Sequence, residues 1–187
     1  MCGIMGYIGN GSAVPVIIDG LAKLEYRGYD SAGIAIYKDE KLQITKKKGR
    51  LAEMVQALGD FPKSSLSIGH TRWATHGVPS DANAHPHLDC SGRIAVVHNG
   101  IIENYATLRK ELILEGHDFL SETDTEVMAH LIEKYYEDSI EEAVRQALSH
   151  VTGSFAIAVI SSDEPDKIIA AKKDSPLIVG LGDGENY

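Results

Sequence analysis

Short apolar runs separated by glycine-containing turns characterise the first part of the chain. Residues 2–8 form one such run, and the turn at residues 9–11 closes it, which favours a buried strand over a helix. Ser12 can then cap a helix that ends before the polar loop at residues 27–31. The apolar residues of this helix recur at helical spacing: Ile17, Leu21 and Leu24.

The middle of the chain continues the strand pattern up to a long polar loop. Strands are predicted at residues 32–37, 42–47, 67–72 and 93–98, with a short helix at 50–58. The first two of these strands form a hairpin around Asp39 and Glu40. Residues 73–92 contain too many Pro, His, Asn and Asp residues for a regular element, and loops of this length are usually functional or mobile.

Helical periodicity replaces the strand pattern after residue 100. Helices are predicted from Asn104 to about residue 115, over residues 125–137, and after a capping box at Ser139, followed by strands at 155–160, 168–171 and 177–179. Strands, then helices, then strands indicate an α+β layered fold with largely antiparallel sheets. The length of 187 residues fits one domain, residues 1–187, and we expect it to be truncated at its C-terminal end.

Composition excludes several classes of function. The chain carries 27 acidic against 18 basic residues, a net charge of −9, so nucleic acid is not an expected partner. The basic run at residues 46–48 is interpreted as a solvated strand end. Neither a membrane-spanning apolar stretch of about 18 residues nor a secretory signal is recognisable. Two unpaired-looking cysteines, Cys2 and Cys90, suit a reducing compartment, and we expect a cytoplasmic protein without membrane contact.

Cys2 is chemically distinctive because of its position. Removal of Met1, which a small second residue permits, would give Cys2 both a thiol and a free α-amine. Their unperturbed pKa values, about 8.5 and about 7.7–8.0, are close enough for the amine to accept the thiol proton, directly or through water. The alternative is that Cys2 is an inert, buried residue at the start of a strand. Cys90 is interpreted as a lone thiol near a turn.

Five segments occur in the order found in the class II, or N-terminal nucleophile, glutamine amidotransferases. They are Cys2-Gly3-Ile4, residues 27–33 (RGYDSAG), residues 69–77 (GHTRWATHG), residues 98–104 (HNGIIEN) and residues 121–126 (SETDTE). The chain resembles this family over nearly its whole length. The resemblance implies an N-terminal nucleophile hydrolase fold, a four-layer αββα arrangement of two stacked, mainly antiparallel sheets.

The wording of the motifs favours one branch of the family. Amidophosphoribosyltransferases tend towards RGQDSAG and GHVRYSTAG. This chain is instead similar to the glucosamine-6-phosphate synthases at Tyr29, Trp73, Thr75, His76 and the segment at 83–87 (NAHPH). The resemblance implies hydrolysis of L-glutamine, with the ammonia passed to sugar isomerase domains that make glucosamine 6-phosphate from fructose 6-phosphate. Those domains lie outside this sequence. The full-length enzyme is expected to be a homo-oligomer.

The catalytic residues implied by the resemblance are Cys2, Asn99 and Gly100. Cys2 would attack the carboxamide of glutamine, and the Asn99 side chain with the Gly100 N–H would stabilise the oxyanion. One such donor is typically worth about 2.7–4 kcal/mol of barrier. The alternative for Asn99-Gly100 is a hairpin turn, because this dipeptide is a strong turn signal.

The substrate-binding residues implied are Arg72, Trp73, Thr75, His76 and Asp124. Arg72 would clamp the α-carboxylate, since its planar fork suits bidentate recognition, and Asp124 would pair with the α-ammonium. Thr75 and His76 would add polar contacts, and Trp73 would shield the site from water. The alternatives are a surface ion pair for Arg72 and a helix N-cap for Asp124.

Supporting roles are implied for Arg27 and Gly28 beside the nucleophile, and for His85 in a loop that orders the site. The alternative for Arg27 and Gly28 is a loop anchor. No metal and no cofactor are expected, since the histidines follow no metal-binding spacing. These histidines are His70, His76, His85, His87 and His98.

Three other functions stay open at this point. The chain could be the glutamine domain of another class II amidotransferase, such as an amidophosphoribosyltransferase. A retained Met1 would block the α-amine and leave a silent glutamine-binding module. An N-terminal nucleophile acylase or protease would use another amide, although Arg72 and Asp124 are suited to a free amino acid.

Overall fold

The structure, a computed structural model, describes residues 2–187, so the expected processing of Met1 lies outside the described residues. The strands are β1 (Gly3–Gly9), β2 (Ser31–Lys38), β3 (Lys41–Lys48), β4 (Leu66–Arg72), β5 (His87–Leu88), β6 (Ile94–Ile102), β7 (Gly153–Ser161), β8 (Ile169–Lys173) and β9 (Glu185–Asn186). The helices are α1 (Ala13–Leu24), α2 (Leu51–Leu58), α3 (Tyr105–Leu114), α4 (Thr125–Tyr135) and α5 (Ile140–Ser149), with a 3₁₀ turn at Glu25–Arg27.

The strands form two antiparallel sheets. One has the order β3-β2-β4-β1-β9 and the other β5-β6-β7-β8. In the first sheet β4 lies between β1 and β2, with Gly3 opposite Thr71 and Ser31 opposite Arg72. The N-terminal end of β1 and the C-terminal end of β4 therefore lie side by side at the same end of the sheet. This brings Cys2 beside Trp73.

Three buried clusters define four layers. The period-2 alternation of strands sends Ile34 and Ile36 to a cluster under α1 and α2, and Ala35 to the opposite face. In the second sheet Val96 contacts the helices α3–α5, whereas Ala95 packs between the sheets. Helices thus cover the outer face of each sheet, and the predicted α+β arrangement of two stacked antiparallel sheets is confirmed.

Three predictions differ from the structure. The segment at residues 73–92, expected to hold no regular element, contains the short strand β5, whose His87 pairs with Val96 of β6. Strand β6 extends to Ile102, so Asn99 and Gly100 lie inside a strand, and the hairpin-turn alternative for them is wrong. Pairing with β7 places Gly100 opposite Phe155 and extends the strand beyond the turn signal. The strand expected at residues 177–179 is also wrong, because this segment is irregular and Ile178 is 88% exposed; β9 pairs with β1 instead.

Of the two helix caps that the sequence predicts, the structure contains one as a side-chain hydrogen bond. Ser139 caps α5 as predicted, since its side chain accepts a hydrogen bond from the Glu142 N–H at 3.4 Å. Ser12 makes no such bond; the Ala13 N–H donates to the Ser64 carbonyl at 2.8 Å instead. A tertiary contact therefore replaces the cap that the sequence predicts for α1.

Candidate active site

Cys2 lies just before β1 and contacts the chain that leaves β4. Its Sγ accepts a hydrogen bond from the Trp73 N–H at 3.2 Å. Burial raises the pKa of the Cys2 thiol, and the bond from Trp73 partly opposes that effect. The sulfur is thus oriented by a backbone donor, but it needs a base to become a thiolate near neutral pH.

Asn99 is held in one orientation by its neighbours. His70 Nε2 lies 3.0 Å from the His98 carbonyl, an obligate acceptor, so this nitrogen carries the proton. It also lies 2.9 Å from Asn99 Oδ1, which therefore accepts. The Asn99 Nδ2 is left to donate to the Cys2 carbonyl at 3.3 Å, so the amide donor of Asn99 points at the residue that carries the thiol.

Gly100 follows in a conformation that only glycine adopts easily. Its φ is +133°, and a Cβ at this position would collide with the Ser154 carbonyl of the paired strand. The residue is exposed and lines the same cavity as Cys2. Because Gly100 has no side chain, its backbone forms this part of the cavity wall.

Arg72 is a buried cation at the end of β4, with 3% of its surface exposed. Its Nη2 donates to the His76 carbonyl and, at 3.1 Å, to the Gly77 carbonyl. Burial lowers the pKa of the guanidinium, while Asp30, Cys2 and Asp124 oppose that shift. Its Nη1 is buried and has no hydrogen-bond partner among residues 2–187, so one arm of the fork retains an unused donor.

Asp124 stands at the N-cap position of α4 without capping it. Its side chain makes no cap bond, and Oδ2 accepts from the Ile102 N–H at 2.9 Å instead. The N-cap alternative therefore fails for the carboxylate, although the residue precedes the helix. Its Oδ1 lies 3.9 Å from His76 Nδ1. Both Asp124 and Arg72 line the cavity that contains Cys2.

The remaining predicted site residues divide into two groups. Trp73, 48% exposed, and Thr75 line the cavity, and the Trp73 ring meets Tyr29 edge-on at 5.4 Å between centroids. His76 packs edge-on against Tyr105 at 5.0 Å, and its backbone carbonyl anchors Arg72. The His76 ring thus lies near Asp124, and His76 is not among the residues that line the cavity.

The residues with predicted supporting roles lie near the segments that carry Cys2 and Arg72. A Cβ on Gly28 would lie 2.7 Å from the Arg72 carbonyl carbon and 3.0 Å from the Trp73 nitrogen, so the glycine permits close approach of the two segments. Arg27 lines the cavity. His85 is buried, and its Nδ1 lies 3.2 Å from His70 Nε2, one residue further from the thiol than Asn99.

Two residues that shape the site were not predicted from the sequence. Asp30 accepts hydrogen bonds from the Ala74 N–H and from Ser31 Oγ, and thereby fixes the segment that carries Trp73. Lys46, interpreted as solvated, donates from Nζ to the carbonyls of residues 82, 84 and 86 at 3.1, 2.9 and 3.2 Å. Burial lowers the pKa of Lys46 to about 8. The position of Asp30 within its motif was a usable signal; that of Lys46 was not.

Buried neutral histidines give a testable pH dependence of stability. Burial lowers the pKa of His70 to about 3 and holds the pKa values of His85 and His87 well below their usual range. The unfolded chain binds these protons below about pH 6.5, whereas the folded protein does not, so stability decreases as pH falls. Each histidine should cost about 1.4 kcal/mol per pH unit well below pH 6.5.

Urea unfolding between pH 7 and pH 5 measures this effect. The free energy of unfolding should fall steeply below pH 6.5, and a folded His85→Asn variant should show a slope shallower by about one proton. Most carboxylates titrate below this window. A pH-independent free energy over this range would contradict neutral burial of these imidazoles.

Most of the predicted site residues line one cavity of about 1260 Å³, whereas Gly28 and His76 do not. Its polar end contains Cys2, Arg72, Asn99 and Asp124, and apolar side chains such as Ile4 and Ile168 line the remainder. A thiol, amide donors, a buried cation with a free donor and a carboxylate together suit an amide that is attached to a zwitterionic amino acid. Within the described part of the chain, no helix is long and apolar enough to cross a membrane.

Comparison with known proteins identifies related domains. A family model described as a glutamine amidotransferase domain matches residues 70–185. Glutamine–fructose-6-phosphate aminotransferase [isomerizing] from Caldanaerobacter subterraneus subsp. tengcongensis is 58% identical over 190 residues and from Aquifex aeolicus 57% over 188 residues, both covering 100% of this chain. The chain spans 31–32% of the length of these relatives.

Solved structures agree on the fold. Glutamine phosphoribosylpyrophosphate amidotransferase from B. subtilis superimposes with a TM-score of 0.84 at 28% identity, covering 100% of this chain and 41% of that one. A glutamine aminotransferase class-II domain protein from Silicibacter pomeroyi has a TM-score of 0.60 at 18% identity, covering 95% and 79%, and supports the fold alone. The N-terminal nucleophile hydrolase fold expected from the motifs is confirmed.

Proposed function

This chain belongs to the class II glutamine amidotransferase domains, and we propose that it hydrolyses L-glutamine to L-glutamate and ammonia through a thioester on Cys2. One observation carries the proposal: Cys2, Asn99 with its oriented amide, and Arg72, whose buried Nη1 has no hydrogen-bond partner among residues 2–187, line a single cavity. Ammonia release from glutamine, measured on protein with a verified N-terminus, tests it.

The proposed chemistry requires Met1 to be removed. The α-amine of Cys2 then accepts the thiol proton, and the sulfur attacks the carboxamide carbon of glutamine. The tetrahedral intermediate collapses by breaking the C–N bond, and the amine returns a proton so that ammonia leaves. Water attacks the thioester next, which gives glutamate and restores the thiol. Each step uses a group of Cys2 or the substrate, and no cofactor is needed.

The oxyanion of each tetrahedral intermediate needs donors that are already in place. We assign Asn99 Nδ2 and the Gly100 N–H to this role. His70 fixes the amide by holding Oδ1, so rotation of the Asn99 side chain would break that bond. A preorganised donor of this kind stabilises developing charge without reorganisation during the reaction.

The amino-acid end of glutamine is assigned to Arg72 and Asp124. Arg72 has an unused buried donor, and Asp124 has an oxygen, Oδ1, that is not committed to the Ile102 N–H. Thr75 and Trp73 also line the cavity, and we assign Thr75 a polar contact with the substrate and Trp73 the shielding of the site from water. We assign His76 to the same site, where its carbonyl positions Arg72 and its ring neighbours Asp124.

Replacing Arg72 with lysine should mainly raise KM for glutamine. A lysine keeps the charge but loses the fork that bonds the loop carbonyls and the substrate together. Hydrogen bonds to charged groups contribute about 1.5–3 kcal/mol, so we expect KM to rise about 10- to 100-fold with a smaller change in kcat. Initial rates of glutamate formation across glutamine concentrations give both constants.

Arg93→Lys provides the matched control. Arg93 is a half-exposed arginine paired with Asp163 at 2.8 Å, and it does not line the cavity. Its KM should equal that of the unmodified protein. A normal KM in Arg72→Lys would remove Arg72 from the substrate site.

The wider enzyme is proposed to deliver the ammonia to a sugar phosphate. Relatives named glutamine–fructose-6-phosphate aminotransferase are 53–58% identical to this chain, against 28% for the phosphoribosylpyrophosphate amidotransferase. We propose residues 1–187 as the glutaminase domain, with sugar isomerase domains as its partners in a cytoplasmic homo-oligomer. Mass spectrometry of the aminated product of the full-length protein distinguishes glucosamine 6-phosphate from phosphoribosylamine.

A further inference from the structure

Four potential metal ligands converge on the outer side of the second sheet, apart from the cavity of Cys2. They are Cys90 after β5, His117 after α3, and His130 and Glu133 on α4, and their donor atoms all lie within 4.8 Å of one another. Cys90 Sγ is 3.6 Å from His117 Nδ1 and 3.4 Å from His130 Nδ1. Glu133 Oε2 is 2.9 Å and 3.4 Å from the same two nitrogens.

These separations are close to the edges of a zinc tetrahedron. Zinc binds sulfur at about 2.3 Å and nitrogen or oxygen at about 2.0–2.2 Å, so tetrahedral edges are about 3.3–3.6 Å long. Three of the four distances fall in this range, and the 2.9 Å contact needs only a small opening of the His117–Glu133 pair. The same nitrogen, Nδ1, of both rings faces the common point.

The surroundings of the cluster match those of a structural metal site. The other ring nitrogen of His130, Nε2, is buried without a hydrogen-bond partner among the described residues, and Glu126 Oε1 lies 3.8 Å from it. A small shift would bring this carboxylate into the position that orients metal-bound histidines. The His130 side chain is 2% exposed, whereas Cys90 is exposed and leaves an entry path for an ion. Helical spacing of three residues places His130 and Glu133 on one face of α4.

We propose that Cys90, His117, His130 and Glu133 bind one Zn²⁺ ion in a closed, structural site. A thiolate with two imidazoles favours zinc over the oxygen-preferring Mg²⁺ and Ca²⁺. The ion would join three segments that are distant in sequence, and it would fasten α4, whose N-terminus positions Asp124, to the loop after β5. The site is independent of the glutaminase chemistry, because it shares no residue with the Cys2 cavity.

Metal titration of the purified chain tests this proposal. Chelator-treated protein is titrated with Zn²⁺ against a chromogenic chelator, and separately with Co²⁺. We expect one ion per chain, the visible absorption of tetrahedral Co²⁺ and a near-ultraviolet sulfur-to-cobalt band. Zinc should also raise Tm, since it binds the folded state. Failure of the unmodified protein to bind either ion overturns the proposal, whatever the variants do.

Two single-cysteine variants separate this site from adventitious binding. Cys90→Ser should lose the sulfur-to-cobalt band and bind zinc at least about 100-fold more weakly, more than an outer carboxylate usually contributes. Cys2→Ala retains one thiol, as Cys90→Ser does, but it should bind zinc as tightly as the unmodified protein. Equal binding by Cys90→Ser, or its loss in Cys2→Ala, overturns the assignment. If Cys90→Ser is unfolded by circular dichroism, Glu133→Gln is compared in the same way.

Discussion

Replacing Cys2 with alanine should abolish glutamate formation while glutamine binding is retained. The substitution removes the sulfur that forms the thioester but leaves Arg72, Asp124 and Asn99 in place. Loss of a nucleophile in a hydrolase costs about 10⁶-fold in kcat, so the residual rate should lie below the detection limit of a coupled glutamate assay. Isothermal titration with glutamine should give a dissociation constant close to that of the unmodified protein.

The thermal midpoint is the necessary control for this variant. Cys2 precedes β1 and its sulfur bonds only to the Trp73 backbone among the contacts described, so the folded state should persist. Turnover that survives in a folded Cys2→Ala protein would refute the nucleophile. Loss of both turnover and binding would instead mean that the whole site has collapsed.

Replacing Asn99 with alanine should lower kcat by about 100- to 1,000-fold, the usual cost of one oxyanion donor, with little change in KM. The amide acts on charge that develops only in the transition state, so kcat and kcat/KM should fall together. Steady-state glutaminase rates measure both constants. The substitution also removes Oδ1, which accepts a hydrogen bond from His70 Nε2. The thermal stability of the variant is therefore measured as part of the experiment.

Asn104→Ala is the matched control for the amide. Like Asn99, Asn104 uses both ends of its amide in hydrogen bonds, donating to the His150 carbonyl and accepting from the Thr152 N–H, but it does not line the cavity. It should lose stability and keep kcat. An unchanged kcat in folded Asn99→Ala would remove Asn99 from the oxyanion site and leave only the Gly100 N–H.

Sequence patterns predicted the fold well wherever burial decides the structure. Successive side chains of residues 32–37 point into two different cores, and this alternation does not depend on which strands lie beside them. At residues 99–102 and 177–179 the pattern failed, because strand pairing decides those regions. Gly100 extends β6 because Phe155 lies opposite, and no run of residues within β6 contains that information.

The residues of the candidate site could be predicted from the sequence, but the contacts that hold them in place could not. Four residues could be identified because each lies in a short motif that is continuous in sequence: Cys2, Arg72, Asn99 and Asp124. The proton on His70 Nε2, the three carbonyls on Lys46 and the ligand cluster around Cys90 depend on segments that are distant in sequence. The His130–Glu133 spacing on α4 was a weak local signal for that cluster; His117 and Cys90 offered none.

Glutamate formation by protein whose N-terminal peptide is verified by mass spectrometry tests the central claim most directly. A folded chain that begins at Cys2 should release glutamate and ammonia from glutamine in equal amounts, and a chain that retains Met1 should release neither. If the processed, folded chain leaves glutamine intact, Cys2 is not the nucleophile and the proposed glutaminase function is wrong.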